Sequence, residues 1–586
     1  MRTTAAAMAA LALWAASAIP AAAAAPAPPA PAGGVGLATV GLDGWTVQST
    51  RVVTQGGDQV STPGFPTGEW LAVAPDDAGA PGTEMEAMLQ NGVCPRDPSF
   101  RVHGGPALDD HSVLFSDNMQ RCFGLMDTIG PDTIPEFSVP WWFRADFAAD
   151  PRPGQAASIV VNGIVGQADV WVNGVEVGTQ ASVRGSFTRF AFDVTDLLRR
   201  GVNSLALELF PNDPTLMLTE DTVDWNQIPL DNSTGIQFPV QLHLSRALAV
   251  ANAYVTQDDA PDLSSAALTV HADVTNTTPF TQSGVVEAAV ESPGGGAPIR
   301  VSRQVTVPAG ATQTVTFTPS ALPQLTIQRP RVWWPYQLGG QPLYRLRVDV
   351  AQGGTVSDTA PPVTFGIRTI TTFLTPPSDL APQGVRWFAV NGRVIVFRAG
   401  GFVEDLFLHY SAADVANQVA LIRSMGLNGI RTEGKEVPGD FYERMDRAGI
   451  LVDAGFQCCD KWQPDGDGRG VTAEDFRVMY QSSLAIGERL RDHPSVMGYS
   501  WSDSPPIPEQ EAASLAGFAQ AGFEGPMISS AESLRTGLLG PSGEREGPYD
   551  WVPPAYWYDT THTSNNAVDN DPGMTNVGGS WGFDSE

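Results

Sequence analysis

Between residues 40 and 245 the chain alternates apolar and polar positions in short runs broken by Gly, Pro, Asn and Asp, with no long stretch of helical period. A period of two marks half-buried strands and predicts a β-sandwich. Its clearest instance is residues 168–177, where the alternation turns over Asn173-Gly174, a pair that accepts the positive φ angles of a two-residue hairpin. Residues 190–194 and 204–209 continue the pattern.

Residues 246–370 hold a second helix-free set, with strands expected at 267–274, 284–290, 313–317 and 343–350, a size and spacing that fit an immunoglobulin-like sandwich. Trp333-Trp334-Pro335-Tyr336 sits before its last strands, either as aromatic core or as a contact between domains. In the third region, 371–586, strand and helix patterns begin to alternate from about residue 385, which predicts a parallel α/β region. Strands are expected at 393–398, 429–431, 450–456, 496–501, 527–530, 556–558 and 580–583. Helices are expected at 412–425, with Leu421 and Met425 on one face, at 441–448, and at 473–491 with Thr472 as N-cap. A (β/α)8 barrel takes about 250 residues and only about 200 are present, so the expectation is an incomplete TIM barrel lacking its last strand.

Length adds that 586 residues exceed one core and suggest roughly three to five domains. Residues 1–25 carry Arg2, an apolar run and small-residue cleavage options, the pattern of a secretory signal peptide, and residues 26–39 form a Pro/Ala-rich linker. An exported, extracellular protein is expected, with no later apolar stretch long enough to span a bilayer. With 34 basic and 64 acidic residues the formal charge is −30, which argues against nucleic acid; it suits a polycationic partner, or simply keeps the protein soluble. Four cysteines are too few for a disulfide scaffold. Cys94 and Cys122 are candidates for one bridge; adjacent Cys458 and Cys459 are either a strained vicinal disulfide or two thiols.

Pro140-Trp141-Trp142-Phe143-Arg144, residues 169–174, Trp333-Trp334-Pro335-Tyr336 and Phe365-Gly366-Ile367-Arg368 resemble the non-catalytic half of glycoside hydrolase family 2. Residues 398–408, Arg431-Thr432-Glu433-Gly434, Cys458-Cys459-Asp460-Lys461-Trp462, residues 490–496 and residues 548–558 resemble the exo-β-D-glucosaminidase branch of that family. The resemblance implies a galactose-binding-like jelly roll at 40–245, an immunoglobulin-like sandwich at 246–370 and a partial TIM-barrel catalytic domain at 371–586. It implies a retaining exo-glycosidase that releases β-1,4-linked D-glucosamine from chitosan oligosaccharides, with no metal or organic cofactor. Retention needs two carboxyl groups about 5 to 5.5 Å apart. The resemblance assigns them to Asp503, the acid/base that follows strand four, and Glu586, the nucleophile that follows strand seven.

The other candidates lie at strand ends, where barrels place their chemistry. By resemblance Glu433 meets the sugar's ammonium group, the expected selector for glucosamine, although an ion pair with Arg431 or Lys435 is the plainer reading. Arg431 is expected to keep the nucleophile ionised. Asp405 and Asp460 either reach sugar hydroxyls or cap a following helix; Tyr556, Trp557 and Trp581 offer faces for a pyranose ring or pack in the core. His409 and His493 are too isolated to suggest a metal. Gly235-Ile236-Gln237-Phe238-Pro239 departs from the family's Gly-Ile-Trp-Arg-Asp turn and puts its usual arginine–acid contact in doubt. Ending at Glu586, the chain reads as a fragment, weakly active or inactive alone. A β-mannosidase-type enzyme of the same family and a non-catalytic carbohydrate-binding protein are the rival readings.

Overall fold

The computed structural model describes residues 38–93, 136–219, 229–378, 383–402, 404–434, 436–457, 460–462, 470–502, 506–531, 535–545 and 583–585. In the N-terminal sandwich a four-stranded sheet (Ala38–Gly41, Val240–Ser245, Ala156–Val161, Phe190–Asp193) opposes a six-stranded one (Leu71–Val73, Trp45–Ser49, Trp141–Ala149, Gly201–Phe210, Gln167–Val172, Val175–Gly178). Period-two patterning does its work here: Ala168, Val170 and Val172 are buried while Gln167, Asp169 and Trp171 are half-buried, and they pack with Leu205, Leu207 and Leu209 of the adjacent strand. The hairpin turns over Asn173 and Gly174, whose φ angles are 51° and 89°, with Val172 paired to Val175.

The second sandwich opposes a sheet of Leu248–Asp259, Ser265–Asn276 and Thr312–Phe317 to one of Ile299–Val307, Gln282–Glu291, Tyr344–Gln352 and Thr355–Thr359. Ser265–Asn276 alternates buried and half-buried residues along its whole length. Its inward side chains meet Val286, Val315, Phe317, Leu346 and Val348 in an apolar core.

The expected first barrel strand at 393–398 is not one. Arg393–Val394 instead ends an antiparallel sheet with Ile370–Leu374 and Arg386–Val390, closed by a turn at Asn391 (φ 51°) and Gly392 (φ 74°). The same hairpin dipeptide that locates the turn at Asn173 accounts for this one. The parallel sheet begins later, in the order β1 (Gly401–Phe402), β2 (Gly429–Thr432), β3 (Leu451–Gln457), β4 (Val496–Ser502) and β5 (Met527–Ile528). Helices α1 (Ala412–Ser424), α2 (Gly439–Ala448), α3 (Ala473–Leu490) and α4 (Pro508–Ala521) follow β1 to β4. A further strand, β6 (Glu544–Arg545), pairs in parallel with β7 (Phe583–Asp584); the expected strand at 556–558 lies outside the described residues. α3 starts with a reciprocal cap, Thr472 accepting from the Asp475 backbone and Asp475 from that of Thr472. α1 does not bury Leu421 and Met425, which are 58% and 57% exposed; Val415 and Ile422, seven residues apart and so on one stripe, face the core.

Trp333 lies at a junction and not in the sandwich core. It is fully buried among Phe388, Val390, Leu451, Met497 and Ile528, and its indole donates to the Asp446 carbonyl at 2.8 Å. Tyr336 donates to the Leu427 carbonyl, and Arg423 sits over its ring. The 490–496 motif also proves to be a docking element: Arg491 lies 3.7 Å from the Tyr254 ring centroid, Asp492 accepts from the Val255 backbone, and Arg368 donates to the carbonyls of His493, Pro494 and Val496. Among the described residues no helix is long and apolar enough to cross a membrane.

Candidate active site

β2 and β3 build the best-defined part of the site. Parallel pairing sets Gly401, Arg431, Asp453 and Gly498 in one rank across β1 to β4. Thr432 ties β2 to β3 by donating to the Gly455 carbonyl at 2.8 Å. Gly455 has φ 136°, and a Cβ there would stand 2.2 Å from the Ser500 carbonyl oxygen, so only glycine allows this approach.

At the carboxyl end of β2, Arg431 Nη2 donates to Glu433 Oε2 at 2.6 Å. The ion pair with Arg431, the plainer of the two readings of Glu433, is therefore present, and with side chains 8% and 4% exposed it is buried and charge-assisted. In the same rank Asp453 is fully buried. Burial pushes its pKa up to about 7, against the opposing pull of Arg431 and the Ser500 hydroxyl. Three residues past Glu433, Glu436 is also raised to about 7 by burial, with Arg489 and the Tyr442 hydroxyl opposing the shift. Sequence reasoning passed over both acids. The signal for Asp453 was present: a parallel strand covered on both faces should read as continuously apolar, and an acid within Leu451-Val452-Asp453-Ala454-Gly455 breaks that rule.

Asp405 accepts from the backbones of Phe407 and His409, so its Oδ1 closes the turn after β1; the helix that follows is capped by Ser411 and not by Asp405. That turn is gripped by the N-terminal sandwich: Glu86 meets His409 at 3.1 Å, Asp76 accepts from the Tyr410 backbone and Asp77 from that of Ala412. Asp460 opens a 3-10 turn, Asp460–Trp462, after β3. Trp462 and Lys461 of that turn donate to the carbonyls of Thr219 and Leu216 in the same sandwich. The altered turn at residues 235–239 keeps a junction by other means. Arg489 of α3 packs 4.0 Å from the Phe238 ring centroid, so the barrel supplies the guanidinium and the sandwich an aromatic face.

Asp503 and Glu586 lie outside the described residues, as do Tyr556, Trp557, Trp581, Cys94, Cys122, Cys458 and Cys459. The strands that lead to both carboxyl groups are described: β4 ends one residue before Asp503, and β7 two residues before Glu586. Ser585, beside Glu586, donates to the Ala531 carbonyl just past β5, which brings the end of β7 toward the same end of the sheet. His493 is paired with Asp446, and among the described residues no cluster of three or more His, Cys, Asp or Glu could hold a metal.

Two stretches match families of known proteins: residues 136–230 the glycosyl hydrolase 2 galactose-binding domain-like family, and residues 248–368 the glycosyl hydrolases family 2. An exo-beta-D-glucosaminidase of Amycolatopsis orientalis is 34% identical over 551 residues, covering 93% of this chain and 47% of the relative. One from Streptomyces avermitilis is 34% identical over 558 residues, covering 94% and 55%. The chain thus spans about half the length of these relatives. The exo-chitosanase CsxA of Amycolatopsis orientalis, also solved in complex with PNP-beta-D-glucosamine, superposes with a TM-score of 0.77 at 33% identity, covering 94% of this chain and 58% of that one. Residues 136–230 and 248–368 are thus domains of the glycoside hydrolase family 2 type, and the chain as a whole, through the parallel sheet that carries the Arg431–Glu433 pair, is similar to exo-beta-D-glucosaminidases over 93% of its length.

Proposed function

We propose that the protein is a retaining exo-glycosidase that removes β-linked D-glucosamine from the non-reducing ends of chitosan oligosaccharides. The buried Arg431–Glu433 pair carries the reading: a carboxylate held at the carboxyl end of β2 is the chemistry that selects a protonated amine over an acetamide. Asp503 protonates the glycosidic oxygen and then activates water, while Glu586 attacks the anomeric carbon to give a glycosyl ester that water cleaves. By the family resemblance Arg431 is also the residue that favours an ionised nucleophile over a protonated one. A polyanionic protein concentrates a polyamine near this site, and the leader-like residues 1–25 support export.

Incubation of a chain extended past residue 586 with chitobiose, with N-acetylated chitin oligomers and aryl β-mannoside as controls, tests the reading. Release of free glucosamine from chitobiose alone is expected. Mannoside cleavage in its place transfers the chain to the mannosidase side of the family, and binding without turnover of any of the three identifies a non-catalytic carbohydrate-binding protein.

A further inference from the structure

Asp453 is a residue whose cost needs a reason. It stands mid-strand in β3 with no exposed surface; Oδ1 has only a long contact, 3.4 Å, from the Ser500 hydroxyl, and Oδ2 has no hydrogen-bond partner among the described residues. A buried carboxyl group so thinly satisfied is destabilising, and an apolar residue would fill the space at lower cost. Its position in the sheet supplies the reason. In the parallel register it faces Arg431 of β2 on one side and Gly498 of β4 on the other, with Ser500 one step along. Arg431 is the charged group acting on it, and the same guanidinium is bonded to Glu433.

We propose that Asp453 is a positioning residue for the aminosugar subsite, sharing Arg431 with Glu433 and thereby setting how much of the Glu433 charge reaches a bound ammonium group. The inference rests on the glucosaminidase reading above and deepens it. With Asp453 protonated, Arg431 and Glu433 cancel and the group of three is neutral. With Asp453 ionised, the guanidinium is divided between two carboxylates and the group carries one net negative charge. Its titration near pH 7 makes this change fall in an ordinary working range. Affinity for a cationic sugar should therefore rise as pH climbs through about 7, for as long as the sugar remains an ammonium.

Hydrolysis of p-nitrophenyl β-D-glucosaminide by a chain extended past residue 586, followed from acid to mildly alkaline pH for wild type, Asp453→Asn and Ser500→Ala, tests this. In the wild type KM is expected to fall about three- to tenfold across the transition. Asp453→Asn should hold KM at the acid value throughout with kcat within about threefold, a split that general loss of structure does not produce. Ser500→Ala removes the hydroxyl that favours the ionised form, so the fall in KM should move to higher pH. A KM in Asp453→Asn that follows the wild type at every pH overturns the inference, as does a wild-type KM that is flat with pH, which needs no variant to fold. Absence of turnover in the wild type brings down the glucosaminidase reading and this inference with it; normal turnover with an unshifted profile brings down this one alone.

Discussion

The core of the second sandwich and the carboxyl end of β2 and β3 are both dry, yet they are built from opposite materials. Leu248, Val270, Val286, Phe317, Leu346 and Val348 bury side chains with no polar atoms to satisfy. The parallel sheet and the loop just past β2 bury Arg431, Glu433, Glu436 and Asp453. The first arrangement gains free energy from nearly every residue; the second loses some at each charge and retains it only through pairing. A sandwich core of this kind is a support, and the charged sheet end is the part on which the proposed function rests.

The contrast is broken most directly through turnover. Asp503→Asn and Glu586→Gln are each expected to lower kcat on chitobiose by about a thousandfold or more while leaving the melting transition near wild type; near-normal rates would show that other carboxyl groups do the chemistry. Phe317→Ala should do the reverse. Loss of a buried aromatic costs about 3 to 5 kcal/mol in chemical denaturation, with kcat per folded molecule unchanged. Glu433→Gln is expected to raise KM for the glucosaminide by about ten- to a hundredfold, the worth of a charge-assisted hydrogen bond, and to do so far less for a neutral glycoside.

The smallest effect is on stability against pH. Burial raises Glu436 to about 7, so between its unfolded value near 4.3 and about 7 the folded protein binds more protons than the unfolded chain. Stability from this group is therefore complete in acid and declines as pH rises through that window. Glu436→Gln should flatten the decline in thermal melts taken across it, and an unchanged slope would assign the decline to other groups.

What could be read without coordinates follows from how local each signal is. Sandwich strands announce themselves by alternation, and Asn173-Gly174 by turn chemistry, because both depend on neighbours in sequence. Asn391-Gly392 carried the same signal, but the apolar run after it, residues 393–398, looked like a buried parallel strand; pairing with Arg386–Val390 decided the matter, and pairing is not local. Similarly Leu421 and Met425 fit a helical stripe, yet which stripe turns inward is settled by what α1 packs against. Glu433 and Arg431 are candidate site residues by their motif. Their mutual bond, and the part of Asp453 beside them, depend on β2 and β3 lying in one register.

The contact between Phe238 and Arg489 has a consequence for exchanging parts among relatives. One residue belongs to the sandwich and the other to α3, and neither works with the partner that a Gly-Ile-Trp-Arg-Asp turn would require. A chimera that takes its sandwich from an arginine-bearing relative and its barrel from this chain would set two guanidinium groups against each other at a buried seam. The two positions are in effect one inherited unit, and a graft between relatives has to carry both or neither.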